Sequence, residues 1–177
     1  ASPAKEYRIM IICAPVSSYY NSGEVRVKID DHFSRAPQGG TGYAKAAGNY
    51  AGQFYPTQLA IDEGYQQIIW TDAATHQYIE EAGTMNLFFY IGDKLITAPT
   101  SDSILDGVTR KSVLELAKDL GIQVETRQLS VSELVEASKN NTLKEIFGSG
   151  TAVVVLPIHG FGYKGEAQTK SKLALGS

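Results

Sequence analysis

The stretch Glu24-Val25-Arg26-Val27-Lys28-Ile29-Asp30 alternates strictly between charged and β-branched residues. A strand with that pattern has one wet face and one packed face, so the chain must build a sheet and cover one side of it. Gln67 to Thr71, Asn86 to Ile91 and the shorter Leu95 to Thr97 are also strand-like, rich in isoleucine, leucine or aromatics, with turn residues in the gaps. They read as meandering, mainly antiparallel strands. Tyr7 to Ala14 reads as a buried strand as well, which makes Cys13 a packed core residue and not a reactive thiol.

Helical spacing is interleaved with these runs. Ala46 to Glu63 is helix-compatible and stops at Gly64, with Pro56 expected to kink or split it. From Gly107 onward, Val113, Leu116, Ala117 and Leu120 fall on one helical face and Gly121 supplies the stop. A strand over Gln123 to Leu129 follows. Ser130 and Glu133 then have the spacing of a capping box, in which each side chain satisfies the other's free backbone N–H, ahead of a short helix ending near Lys139. Lys144 to Phe147, a turn over Gly148-Ser149-Gly150-Thr151 and Ala152 to Leu156 form a strand, loop, strand unit. With 177 residues, 43% of them hydrophobic, the chain has the material for one α+β domain with a sizeable core.

Charge and composition exclude several functions. The net charge is -3 and the basic residues are scattered, which gives phosphate backbones nothing to bind and argues against nucleic acid. No apolar run approaches the roughly 20 residues of a membrane span, and the opening residues lack a signal-peptide pattern, so a cytoplasmic protein with no membrane partner is expected. The single cysteine excludes an intrachain disulfide, and the dispersed His32, His76 and His159 offer no recognisable metal spacing.

Four segments can carry chemistry. In Gly40-Thr41-Gly42-Tyr43-Ala44-Lys45-Ala46-Ala47-Gly48-Asn49-Tyr50, one lysine stands among small uncharged residues. Partly desolvated, its amine would attack a carbonyl and hold it as a Schiff base; a plain solvated lysine is the simpler reading of the same composition. In Ile79-Glu80-Glu81-Ala82-Gly83-Thr84-Met85-Asn86-Leu87-Phe88, an acid pair precedes a small-residue turn and an apolar strand. A semi-buried carboxylate there can pair with a protonated heterocyclic nitrogen, and a surface acid pair is the alternative. In Ile104-Leu105-Asp106-Gly107-Val108-Thr109-Arg110, a glycine opens a helix whose first N–H groups are free for an anion, unless Asp106 is simply the N-cap. In Gly148-Ser149-Gly150-Thr151-Ala152, backbone N–H groups can converge on an anion, or form an ordinary hairpin turn.

Taken in this order, AKAAGNY at 44 to 50, EEAGTMNLF at 80 to 88, LDGVTRKSV at 105 to 113 and FGSGTAVVVLPI at 147 to 158 resemble the branched-chain amino acid aminotransferases, fold-type IV pyridoxal phosphate enzymes. The likeness runs from about Tyr7 to Glu166. It implies the large domain of that fold, a mainly antiparallel sheet or pseudo-barrel with flanking helices, binding pyridoxal 5'-phosphate. It further implies that Lys45 forms the internal aldimine and shuttles the proton, that Glu81 meets the pyridine nitrogen, and that Tyr50 meets the phenolic oxygen. Leu105, Val108 and Thr109 match the phosphate-receiving helix start, and Thr151 and Ala152 the turn that serves phosphate and substrate carboxylate. Thr84 and Met85 are implied against cofactor and side-chain pocket, Tyr19 in the pocket and Arg35 near the phosphate.

The implied activity is ping-pong transfer of the amino group of leucine, isoleucine or valine to 2-oxoglutarate, in a homodimer. D-amino acid aminotransferases and aminodeoxychorismate lyases share the lysine and glutamate roles, and the GTMN run at 83 to 86 favours the branched-chain group. Two departures stand out: Asp106 replaces a proline common in relatives, and Val153 and Leu156 stand where some relatives carry a CxxC. The smaller N-terminal domain of the family has no counterpart, so the chain is expected to be a large domain by itself, with cofactor binding but no turnover as the other outcome.

Overall fold

In the computed structural model the described residues are 2–15, 25–83 and 85–169. The elements are β1 (Val25–Ile29), α1 (Ala47–Ala51), α2 (Phe54–Asp62), β2 (Gln67–Thr71), β3 (Ile79–Ala82), β4 (Met85–Ile91), β5 (Lys94–Thr97), α3 (Val108–Asp119), β6 (Gln123–Thr126), α4 (Val131–Lys139), β7 (Leu143–Gly150), β8 (Val154–Tyr163) and β9 (Glu166–Thr169). The strands form one mixed sheet in the order β3-β2-β1-β8-β7-β4-β5-β6, and a further pairing of β3 with β4 closes its first six strands into a barrel. β1 lies parallel to both β2 and β8, and β5 parallel to β6, while the remaining pairs are antiparallel.

Alternation assigns the side chains. In β1, Val25, Val27 and Ile29 are buried and join Ile69, Leu87, Phe89, Ile146 and Phe161 in the main core, which α4 covers with Leu134 and Ala137. β2 and β4 are buried on both faces: Ile68 and Trp70 pack with Ala60 of α2, and Phe88 packs with Ala117 of α3. That is why these two strands read as continuous apolar runs.

The helices follow their sequence signals closely. The chain from Ala47 to Asp62 is split into α1 and α2, with Pro56 in the first turn of α2, where its missing N–H costs nothing. α3 ends at the left-handed Gly121 (φ 71°). Half of the expected capping box forms: the Ser130 hydroxyl accepts the Glu133 N–H at 3.1 Å, but the Glu133 carboxylate turns to Arg127 at 2.6 Å. An ion pair with a guanidinium has displaced the reciprocal bond. Ser130→Ala should lower stability by about 1 kcal/mol in chemical denaturation, through loss of the remaining cap bond.

The segment from Tyr7 to Ala14 corrects the expectation of a buried strand. It has no regular structure, and Tyr7, Ile9, Ile11 and Cys13 are exposed. Both sides of β1 are taken by β2 and β8, and β3 pairs β4 across the closure, so the barrel offers this run no edge. The loop after β7 is also shorter than expected: β7 continues through Gly148 to Gly150, and the turn is Thr151 to Val153. Among the described residues, no helix is long and apolar enough to cross a membrane.

Candidate functional site

The barrel closure builds the centre of the site. In the β3–β4 hairpin Glu81 pairs with Asn86 and Ala82 with Met85, around a turn in which Gly83 takes φ 52° against the side chain of Gln67. As consecutive residues of β3 the two adjacent acids point to opposite faces of the sheet and take separate environments. Glu80 Oε1 accepts the Ser103 hydroxyl at 2.5 Å and borders a cleft of about 640 Å³ lined also by Asp72, Tyr78 and Asp102. Glu81 belongs to a different group of residues.

The Glu81 carboxylate is buried and held from three directions. Oε1 accepts the backbone N–H of Leu105 at 2.5 Å and the Asn86 amide at 3.2 Å, and Oε2 lies 3.2 Å from Arg35 Nε. Burial pushes its pKa up to about 7, against the opposing pull of the Arg35 charge, the Leu105 N–H and the Lys45 ammonium, with Glu80 adding a push upward. A carboxyl that gains and loses a proton near neutrality suits a site where a neighbouring nitrogen changes charge.

Arg35 is engaged by protein on several sides. Its guanidinium is buried and donates to the carbonyls of Gly42 and Ser103 as well as facing Glu81, so it ties the lysine loop to the segment before α3. The resemblance places Arg35 near the phosphate; its protein contacts are with the Glu81 carboxylate and these two carbonyls.

Lys45 sits two residues before α1 and is exposed, which is the solvated one of the two readings its composition allows. Alanine and glycine remove charge partners without removing water. The loop itself is well defined. Asn49 donates to the carbonyls of Thr41 and Ala44 and accepts from the Thr41 hydroxyl, and the Tyr43 N–H donates to the Asp102 carbonyl. Gly42 packs so tightly on Ser103 and Asp102 that a Cβ there would lie 2.6 Å from Ser103 Cα. Tyr50 is half-buried on α1, five residues beyond the lysine.

The start of α3 has the features of an anion site. Gly107 is the N-cap with no side-chain cap, the first turn carries no acidic residue, and Val108 and Thr109 follow with N–H groups lacking intrahelical partners. Asp106 is not the cap; its carboxylate pairs with Lys111 at 2.5 Å. Thr151 and Ala152 are exposed in the turn after β7, two and three residues beyond Ser149, which pairs with Asn86 across the sheet. Ser149 Oγ is buried without a hydrogen-bond partner.

The structure therefore gathers Arg35, Lys45, Glu81, Leu105 and the α3 start into one neighbourhood, with Met85 buried in the hairpin beneath it. Tyr19 and Thr84 lie outside the described residues. The residues that sequence reasoning missed are Asn49 and Asn86, which position other groups. Asn86 had a signal, being the one amide in the apolar run Met85 to Ile91, where a buried polar group must have a partner.

Comparison with known proteins identifies the family and the fold. The family model described as amino-transferase class IV matches residues 1–161. Branched-chain-amino-acid aminotransferase 2 of Bacillus subtilis (strain 168) is 44% identical over 154 residues, which is 86% of this chain and 42% of that protein. The crystal structure of the Escherichia coli branched-chain amino acid aminotransferase superposes with a TM-score of 0.73 at 30% identity, over 89% of this chain and 49% of that one. The T.th. branched-chain amino acid aminotransferase complexed with N-(5'-phosphopyridoxyl)-L-glutamate gives 0.68 at 25% identity, over 84% and 47%. The chain thus spans less than half the length of these relatives. It belongs to the class IV aminotransferases.

Proposed function

We propose that the chain is the cofactor-binding large domain of a cytoplasmic, homodimeric aminotransferase that exchanges the amino group of leucine, isoleucine or valine with 2-oxoglutarate, using pyridoxal 5'-phosphate. The observation that carries this reading is the buried Glu81 carboxylate, paired with Arg35 and bonded to the loop that opens α3, within electrostatic reach of the Lys45 ammonium. The residues fit the cofactor in kind: a reachable primary amine, a carboxylate tunable near neutrality and an uncapped helix start.

When bound, pyridoxal phosphate supplies the electron sink that lets an amino acid lose its α-proton. The protein supplies the rest. Lys45 is the carbonyl-reactive amine and then the base that takes a proton from one carbon and returns it to another. Glu81 holds positive charge on the ring nitrogen, and Arg35, acting through Glu81, keeps the carboxylate aimed. The N–H groups of Val108 and Thr109, the Thr109 hydroxyl and the Leu105 loop receive the phosphate. Tyr50 serves the phenolic oxygen, Thr151 and Ala152 the substrate carboxylate, and Met85 the aliphatic side chain. Thr84 and Tyr19 keep the roles given by the resemblance.

The test is direct. The chain is incubated with pyridoxal phosphate, reduced with borohydride and digested, and the adduct is expected on the peptide containing Lys45. Leucine and 2-oxoglutarate are then supplied and glutamate is measured, for this chain and for a full-length form. An adduct at Lys45 with glutamate formed only by the longer protein supports a cofactor-binding part of a two-part site. An adduct on any other lysine refutes the assignment.

A further inference from the structure

We infer that Asn86 is a positioning residue that fastens the Glu81 carboxylate to the loop carrying the start of α3, so that the ring-nitrogen end and the anion end of the site are held as one unit. The inference rests on the reading of Glu81 and the α3 start as the two ends of a cofactor site.

The geometry is specific. Asn86 is buried, and its single amide nitrogen donates both to Glu81 Oε1 at 3.2 Å and to the Leu105 carbonyl at 2.8 Å. Leu105 closes the ring by donating its own N–H to the same Glu81 oxygen. Three groups from β3, β4 and the loop before α3 therefore share one hydrogen-bonded cycle. The other side of the amide touches the helix cap: a Cβ at Gly107 would collide with Asn86 Oδ1. A glycine N-cap and a buried asparagine thus explain each other. A hydrogen-bonded cycle in a dry setting resists displacement of any one member, because each loss leaves another buried polar group unpaired. Asn86 also pairs with Ser149, which places the same residue beside the strand that leads into the Thr151 turn.

Asn86→Asp tests this with almost no change in shape. It replaces a donor by a second carboxyl facing Glu81, whose other charged neighbours are Arg35, Lys45 and Glu80, with Arg110 also sensing its charge. In the cofactor-free protein, carbon-13 labelling of glutamate follows the Glu81 titration, and amide hydrogen exchange follows the Leu105 N–H. The expected result is a titration moved upward by at least about one pH unit, with Leu105 exchange faster by about tenfold and β7 amides unchanged. Apparent affinity for pyridoxal phosphate and for inorganic phosphate alone should both fall by about tenfold. Asn86→Ser, which keeps a donor, should fall between the parent and the aspartate variant, and it carries the test if the aspartate variant does not fold.

An unmoved Glu81 titration, or phosphate affinity that stays at the parent value while Glu81 shifts, overturns the coupling. The titration and exchange arms need no cofactor, so they stand or fall separately from the Lys45 adduct. A missing adduct with a coupled Glu81 and Leu105 faults the functional reading and leaves the link intact.

Discussion

Lys45→Ala is expected to abolish the borohydride-fixed pyridoxal phosphate adduct while shifting unfolding free energy by no more than about 0.5 kcal/mol. The lysine is exposed, and among the described residues its ammonium makes no ion pair; the loop is held by Asn49, Gly42 and Arg35 instead. Packing therefore has little to lose. Any transamination by a full-length form should fall by about a thousandfold or more, since both the covalent anchor and the proton-transfer base disappear. Lys45→Arg separates charge from chemistry, because a guanidinium keeps the positive charge that Glu81 senses but stays protonated and cannot attack a carbonyl. It should leave the Glu81 titration near its parent position and still give no adduct. Cooperative unfolding lost in the alanine variant, checked by circular dichroism and calorimetry, would show that the lysine is structural.

The site was partly legible because its residue types are chemically unusual where they stand. A lysine in a glycine and alanine loop, an acid pair before an apolar strand and a glycine opening a helix are each visible without coordinates. What the pattern cannot express is which of two adjacent acids turns inward. That depends on which face of β3 meets Arg35 and the Leu105 loop, a property of tertiary pairing and not of composition. The same limit explains Tyr7 to Ala14: apolar content says that a segment gains by burial, but only the strand pairing shows that the closed barrel has no edge for it and that it joins neither outer edge, β6 or β9. Local signals fared well where the energetics are local, as in the Gly121 stop and the Ser130 cap. For Lys45 they left two readings open, because desolvation is set by what surrounds a loop, and the exposed lysine answers to the solvated one.

The second large effect is a pH dependence of stability centred on Glu81. Its folded-state pKa of about 7 lies above the ordinary value of 4.5, so between these values the native protein binds a proton that the unfolded chain has released. Stability must then fall as pH rises from about 4.5 to about 7, with a slope approaching 1.4 kcal/mol per pH unit and a total near 3 kcal/mol. The physical cause is burial of a charge that Arg35, Leu105 and Asn86 only partly compensate. Glu80, also raised by burial, contributes in the same direction, whereas the depressed Asp72 acts at lower pH and with the opposite sign. Urea denaturation of the cofactor-free protein at closely spaced pH values measures the slope. Glu81→Gln, which stays neutral throughout, should remove most of it and equal or exceed the parent in stability at pH 7. A parent curve flat across this window, or a glutamine variant that keeps the full slope, would show that the carboxyl titrates in the ordinary range. A ligand bringing positive charge to Glu81 should flatten the parent curve from its alkaline side, because the carboxylate then gains a partner of opposite charge. The pH at which pyridoxal phosphate stabilises the chain most strongly should therefore lie above 7, where the unliganded protein carries its uncompensated charge in full.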